Sequence, residues 1–269
     1  MRQFVANLRG ERAGEQGQCA GVSLPPYDDA AGREHAGAVR RGGCIFGRGR
    51  GMLGRVINCI GLFAASPVLA HPHVFIDTTL EVIFDDQGAA SGLRISWTYD
   101  EYYSLVIAEE RGIDPDYDGT ASAAEAKPLA GFDMAWDTDY PGDTYAVMGA
   151  VDLPLSGPRD WTASYADGKI TTSHFRTFDT PVKVTAVPLQ IQVYDPTLYT
   201  GYYIVGKPAL SGKAEACTIS VFLPDRAAAD EILQTAIDKL PTSMDVENEF
   251  PAVGKAYAEE VRVICAAAS

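Results

Sequence analysis

Between residues 74 and 265 the chain repeats one pattern: short runs of alternating apolar and polar residues, broken by clusters of Asp, Gly and Pro. Alternation of period two sends side chains to opposite faces of a strand, so the pattern favours sheets with one buried face each. Residues 74–99 predict a hairpin around Asp85-Asp86-Gln87-Gly88, and 161–165 with 169–175 predict a second around Asp167-Gly168. Further strands are expected at 182–187, 189–194, 202–205, 218–223 and 259–265. Helical periodicity occurs at 100–111, centred on Leu105, Val106 and Ile107, and again from Ser122 towards Asp133, strained or ended near Pro128. It returns at 226–240, where Ile232, Leu233, Ala236, Ile237 and Leu240 share a face. The predicted fold is mainly β or α+β: a β-sandwich-like domain with an inserted EF-hand-type helix-loop-helix at about 100–133 and a C-terminal helix. Tyr194, Tyr199, Tyr202, Tyr203 and Trp161 are expected to pack as core aromatics rather than to line a pocket.

The N-terminal quarter has no such pattern. Arg48, Arg50 and Arg55 precede a short apolar run at 56–63, and Val68-Leu69-Ala70 offers small residues where a signal peptidase cuts. We read 52–70 as a signal peptide cleaved after Ala70, 1–51 as a misplaced start or a disordered extension, and 71–269 as a single periplasmic domain. The leader holds 9 of the 22 basic and 5 of the 36 acidic residues, so the remainder has 13 basic and 31 acidic and a formal charge of −18. That surface repels nucleic acid and concentrates cations. Cys217 and Cys265 remain after the leader. In an oxidising compartment they are expected to form a disulfide, since each shares its strand parity with apolar neighbours; a metal site on the two thiolates is the alternative.

Residues 114–125 match D-x-[DN]-x-[DN]-G-x5-E at every specified position. Asp114, Asp116 and Asp118 present hard oxygens, and Gly119 permits the sharp turn. Thr120 would offer its carbonyl, Ser122 would ligate directly or through water, and Glu125 would close the shell with two oxygens. Calcium is the expected ion. An acidic surface loop without one is the competing reading. Ala121 stands where paired hands carry a larger apolar residue, and no second hand occurs in the sequence.

The segment after the leader contains three histidines, His71, His73 and His174. Cleavage after Ala70 would give His71 a free α-amine. On an extended chain His73 shares a face with His71, Phe75 and Asp77, while Val74 and Ile76 take the core face. Pro72 lacks the backbone N–H needed by the square-planar amino-terminal copper/nickel mode. A side-chain site for nickel, cobalt, zinc or copper remains, with His174 as a distant third ligand. The alternatives are polar edge sequence for His73 and a hydrogen-bonded histidine between strands for His174.

His71-Pro72-His73-Val74-Phe75-Ile76-Asp77, the acidic loop, the Asp167-Gly168 hairpin leading to His174-Phe175, Val193-Tyr194-Asp195-Pro196-Thr197 with Tyr199, and the two cysteines occur in an order that resembles domain-of-unknown-function family 1007. The resemblance spans nearly all of 71–265, with 133–160 atypical. It implies a periplasmic component of an ABC-type transport system, in a nickel/cobalt-type metal context. No Ser-His-Asp order with a nucleophile turn, His-Glu-x-x-His or phosphate loop is present, so no enzyme is indicated. The expected function is a periplasmic metal-binding accessory or substrate-binding component that exchanges a divalent ion with a membrane permease. A calcium-stabilised adaptor or structural module binding another periplasmic protein ranks second, and a copper oxidase with an N-terminal histidine brace third.

Overall fold

The alternation at the start of the pattern is realised strictly. Along strand β1 (Val74–Phe84), Val74, Ile76, Thr78, Leu80, Val82 and Phe84 turn inward and the residues between them face outward. Asp85 shapes the adjoining turn, its Oδ1 accepting from the amides of Gln87 and Ala89. Strand β2 (Ala90–Tyr99) then pairs antiparallel with β1, so the predicted hairpin is present. The computed structural model describes residues 72–241, 243 and 250–266, all within one unit, Val68–Ser269. The leader assignments and His71 lie outside the described residues.

Asp100 switches the chain from strand to helix α1 (Glu101–Arg111). Its Oδ1 caps the amide of Tyr103 at 2.8 Å while its Oδ2 accepts from Phe75 N–H at 2.8 Å, so one carboxylate fixes both elements. The buried Ser104 hydroxyl accepts from Ile170 N–H at 3.0 Å and moors the helix to the sheet.

The remaining strands are β3 (Thr144–Met148), β4 (Val151–Asp152), β5 (Arg159–Ala166), β6 (Lys169–Val182), β7 (Leu189–Val193), β8 (Thr200–Ile204), β9 (Ala209–Ser211), β10 (Cys217–Phe222) and β11 (Glu260–Cys265). One sheet has the order β5-β6-β2-β1-β8, with β9 also on β1, and the other β10-β11-β7-β3-β4. Strands β8 and β9 run parallel to β1, and every other pair is antiparallel. The inward row Leu189, Ile191 and Val193 of β7 and the row Val261 and Val263 of β11 supply the core of the second sheet. Tyr202 of β8 joins the sheets, donating its hydroxyl to Asp143 Oδ2 at 2.8 Å just before β3 begins. Helix α2 (Arg226–Ile237), capped by Asp225, and the short α3 (Gly254–Tyr257) form a satellite cluster around Leu233, Phe250 and Val253.

The architecture is mainly β with two sheets and few helices, as the alternation required. Three local expectations fail. No α-helix succeeds the acidic loop: Ser122–Glu125 starts a single turn that becomes a 3-10 helix at Lys127–Leu129. Pro128 has no N–H for a fourth-residue bond, and Gly131 at φ 70° leaves the helical region. Residues 183–188 form no ladder, because the hairpin strand β6 extends to Val182 and the chain then leaves its sheet, with Pro188 unable to donate. The Asp- and Pro-rich stretch 133–160, atypical in the family resemblance, supplies β3 and β4. Of the five expected core aromatics only Tyr202 is buried; Trp161 is 46% exposed, and the others lie half-buried.

Cys217 and Cys265 are opposite one another in the β10–β11 register and are bonded. The bond closes a loop of 48 residues, for which the chain-entropy model gives about 4 kcal/mol. Scanning calorimetry with and without a reductant is expected to show a large drop in melting temperature on reduction, reproduced without reductant by the Cys217→Ala/Cys265→Ala pair. An unchanged melting curve would show that the closure contributes nothing.

Candidate functional site

The acidic loop leaves α1 through Gly112 in the left-handed conformation. Asp114 then organises it: Oδ1 accepts from Asp118 N–H at 3.1 Å and Oδ2 from Gly119 N–H at 3.0 Å. Asp118 Oδ1 accepts from both the amide and the hydroxyl of Thr120, each at 2.8 Å. Gly119 sits at φ 80°, which a side chain would strain. These bonds bring carboxylate oxygens of Asp114, Asp116 and Asp118 within 4.8 Å of one another. Glu125 is not in that group. Its Oε2 accepts from Ser122 N–H at 2.8 Å while Ser122 Oγ accepts from Glu125 N–H, a reciprocal capping box. The Ser122 hydroxyl, then its amide, hold the Glu125 carboxyl below its ordinary range.

The loop has a neighbour that the sequence did not reveal. Ala121 N–H donates to Tyr165 O at 3.2 Å and Gly168 N–H donates to Gly119 O at 2.9 Å, so the loop is zipped onto the tip of the β5–β6 hairpin. This hairpin takes the backbone bonds that a second calcium loop would take in a paired hand.

The histidines do not converge. His73 precedes β1 with outward parity, its ring 4.9 Å from Tyr199 and its amide bonded to Tyr199 O. His174 points inward from β6 and is fully buried. The register sets His174 opposite Ile95, and Ile95 opposite Leu80. His73 is therefore seven residues, roughly 23 Å at the usual strand rise, from the level of His174, and on the other face of the sheet. A single site of His73 with His174 is not formed. The hydrogen-bonded alternative for His174 also fails, since neither ring nitrogen has a partner. Burial, with Arg176 and Arg94 adding repulsion, pushes its imidazole down to about 3.

Around His174 the inner face of the first sheet is polar, and residues 133–143 fold over it. Asp133 Oδ2 accepts from Tyr99 OH at 2.6 Å and Thr172 OH at 2.7 Å, and burial raises this carboxyl. The Trp136 ring packs edge-on to His174 at 5.3 Å and lies 6.2 Å from Trp97. Arg176, buried, donates Nε to Ser156 O at 2.7 Å and Nη1 to Pro141 O at 2.8 Å, and its guanidinium lies 5.1 Å over Trp136. Gly142 is obligatory here: at φ 65°, a Cβ would come within 2.4 Å of the Trp136 ring. Outside this cover lies a pocket of about 670 Å³, lined by Trp136, Tyr145 and Arg176, with Asp137, Asp139 and Asp152 among its acidic residues. None of this was visible in the sequence beyond the inward parity of Thr172 and His174 with Ile170.

With these features in view the relatives can be placed. The sequence matches the family described as "Protein of unknown function (DUF1007)" over residues 56–265. The chain belongs to the DUF1007 family. An uncharacterized protein from Haemophilus influenzae is 25% identical over 213 residues, covering 77% of this chain and 96% of the relative. In this DUF1007 chain the family match includes the acidic loop, the polar face, the pocket and both cysteines.

Asp143 offers a test of the cover. Burial, with Asp195 adding repulsion, pushes its carboxyl up to about 6, while the Tyr140 and Tyr202 hydroxyls pull the other way. The folded value lies above the unfolded value of about 3.9, so the folded protein keeps the proton longer. The group's contribution to stability is full below the unfolded value and is lost as pH rises through about 6. Urea denaturation across pH 3.5–7.5 should show this loss in wild type and a flatter profile in Asp143→Asn. Identical pH profiles would show that Asp143 is not the responsible group.

Proposed function

We propose that this DUF1007 chain is an exported, non-catalytic metal-binding accessory protein. In this reading it is a periplasmic component that exchanges a divalent ion of the nickel, cobalt, zinc or copper type with a membrane permease, and it holds calcium in the 114–125 loop. The observation that carries the cation-binding part is the convergence of Asp114, Asp116 and Asp118 within 4.8 Å on a backbone already turned by its own hydrogen bonds. Three carboxylates at that spacing repel one another, and a hard cation relieves the repulsion. The formal charge of −18 after residue 70 draws cations to the surface. Export rests on the basic, apolar and small-residue order of 48–70, and the permease on the family resemblance.

One observation favours the second reading, a calcium-stabilised adaptor that binds another periplasmic protein. His73 and His174 occupy opposite faces of the sheet, so the transition-metal arm loses its three-histidine site. What remains of it at the N-terminus depends on His71 with its α-amine, beside His73.

Calcium is expected to raise the melting temperature of the mature protein. At a hundredfold excess over Kd, linkage gives about 2.7 kcal/mol. Asp116→Asn, whose side chain caps nothing in the loop, should abolish the shift and leave the calcium-free melting temperature no lower than that of wild type, since it removes one of the repelling charges. Glu125→Gln should weaken the shift. If wild type melts at one temperature at every calcium level, the loop is an acidic surface feature. Amino-terminal sequencing and elemental analysis of protein taken from its own periplasm test the export and metal-carrying arms together. A mature chain beginning at His71 with a stoichiometric transition metal supports the accessory reading, and calcium alone supports the adaptor.

A further inference from the structure

Among the described residues, the buried side-chain polar atoms with no hydrogen-bond partner belong to Thr78, Trp97, Asp133 and His174. They are not scattered. Thr78 is opposite Trp97 in the β1–β2 register, and Trp97 is opposite Thr172 in the β2–β6 register. Thr172 hydrogen-bonds Asp133, and the Trp97 ring lies 4.7 Å from His174. Roughly nine in ten buried polar atoms in folded proteins find a partner, so five unpartnered atoms on adjoining positions mark a place built to engage something else.

We propose that this inner face carries a buried site for a borderline divalent transition-metal ion, with the His174 imidazole and the Asp133 carboxylate as protein ligands. The proposal rests on the metal-handling part of the function above and is independent of the calcium loop.

The donor set selects the class of ion. His174 is neutral at physiological pH, so one ring nitrogen keeps a free lone pair. Asp133 uses Oδ2 for Tyr99 and Thr172 and leaves Oδ1 over. An imidazole nitrogen with a carboxylate oxygen suits zinc, nickel, cobalt or copper, whereas calcium takes six to eight oxygens. Trp97 Nε1–H can only donate, so its role is to bond an oxygen held by the ion. A cation also compensates the Asp133 charge; among the described residues Asp133 has no ion pair, and its side-chain partners are hydroxyls. Two strong protein ligands leave coordination positions open to water, which suits an ion that is passed on rather than retained.

The surroundings supply a route. Trp136 lines the pocket and also packs edge-on against His174. It stands between the pocket, with its Asp137, Asp139 and Asp152, and the buried donors. Carboxylates at the outside gather cations, and displacement of one ring opens the way inward.

The test uses the mature chain, titrated calorimetrically with nickel, zinc and copper, while tryptophan emission is followed. Wild type is expected to bind one equivalent that competes with no calcium, and nickel or copper should quench the emission of Trp97 and Trp136. His174→Gln and Asp133→Asn should each weaken binding at least tenfold, while His73→Ala and Asp116→Asn leave it unchanged. Should either buried variant fail to fold, X-ray absorption of zinc-loaded His73→Ala replaces it, with one imidazole among the ligands expected and none overturning the site. No binding by wild type means a solvated polar pocket only and overturns the proposal. Loss of binding in His73→Ala also overturns it, moving the ion to the N-terminus while the metal-carrier reading survives. Failure of calcium to raise the melting temperature touches neither result.

Discussion

Arg176 is the contact on which the polar side of the molecule depends. It leaves β6 on the buried face, and its guanidinium binds carbonyls of Pro141 and Ser156, on either side of β3 and β4. Those two strands belong to the other sheet. One side chain therefore clamps the start and end of an excursion between sheets. It also sets Trp136, which packs beneath its cation. Burial pushes the Arg176 guanidinium down to about 10, still charged at neutral pH. Cutting this side chain short would take a donor from the carbonyls of Pro141, Leu155 and Ser156 and release the segment covering His174.

The strands were legible because each is amphipathic in the simplest way. The 74–84 and 90–99 hairpin and the Asp167-Gly168 turn combine alternation with an unambiguous break. Helix α1 was legible from its apolar centre, and the structure adds the caps, Asp100 at its start and Gly112 at its end. Residues 133–160 were not legible, since their structure is set by distant partners. Asp133 is fixed by Tyr99 and Thr172, Asp143 by Tyr202, and Pro141 by Arg176. No local propensity encodes those contacts, and a stretch of Asp, Pro and Gly reads as loop.

The candidate sites divide along the same line. The acidic loop is contiguous, so motif spacing found Asp114, Asp116 and Asp118, whereas Glu125 is held in a capping box with Ser122, outside that group, and no helix follows it. Pro128 decides that outcome: Ser122 and Glu125 open a helix correctly, and the proline ends it within a turn. For His174, strand parity with Ile170 and Thr172 already placed the ring inside, and parity with Phe75 and Asp77 placed His73 outside. Grouping them as co-ligands set residue type above face. A two-residue period forbids that choice for strands of one sheet.

Strand β6 connects these features physically. Its hairpin tip, at Gly168, holds the acidic loop; Thr172, His174 and Arg176 lie farther along on its inner face; and its register with β2 carries the row to Trp97 and Thr78. Gly168 and His174 are six residues apart, roughly 20 Å at the strand rise. Each unpartnered buried polar group costs about 1–3 kcal/mol, a large share of the 5–15 kcal/mol by which domains are usually stable. A face that retains Thr78, Trp97, Asp133 and His174 in that state needs stiff support elsewhere. The flanking rows provide it, through Ile76, Leu80, Val82, Leu93 and Ile95, all buried on the same side of β1 and β2. The Thr78, Trp97 and Thr172 row thus lies between Ile76 on one side and Leu80 and Ile95, the row that ends in His174, on the other. A functional surface inside a sheet requires that arrangement, because donors that could relax toward one another would satisfy themselves and engage nothing else.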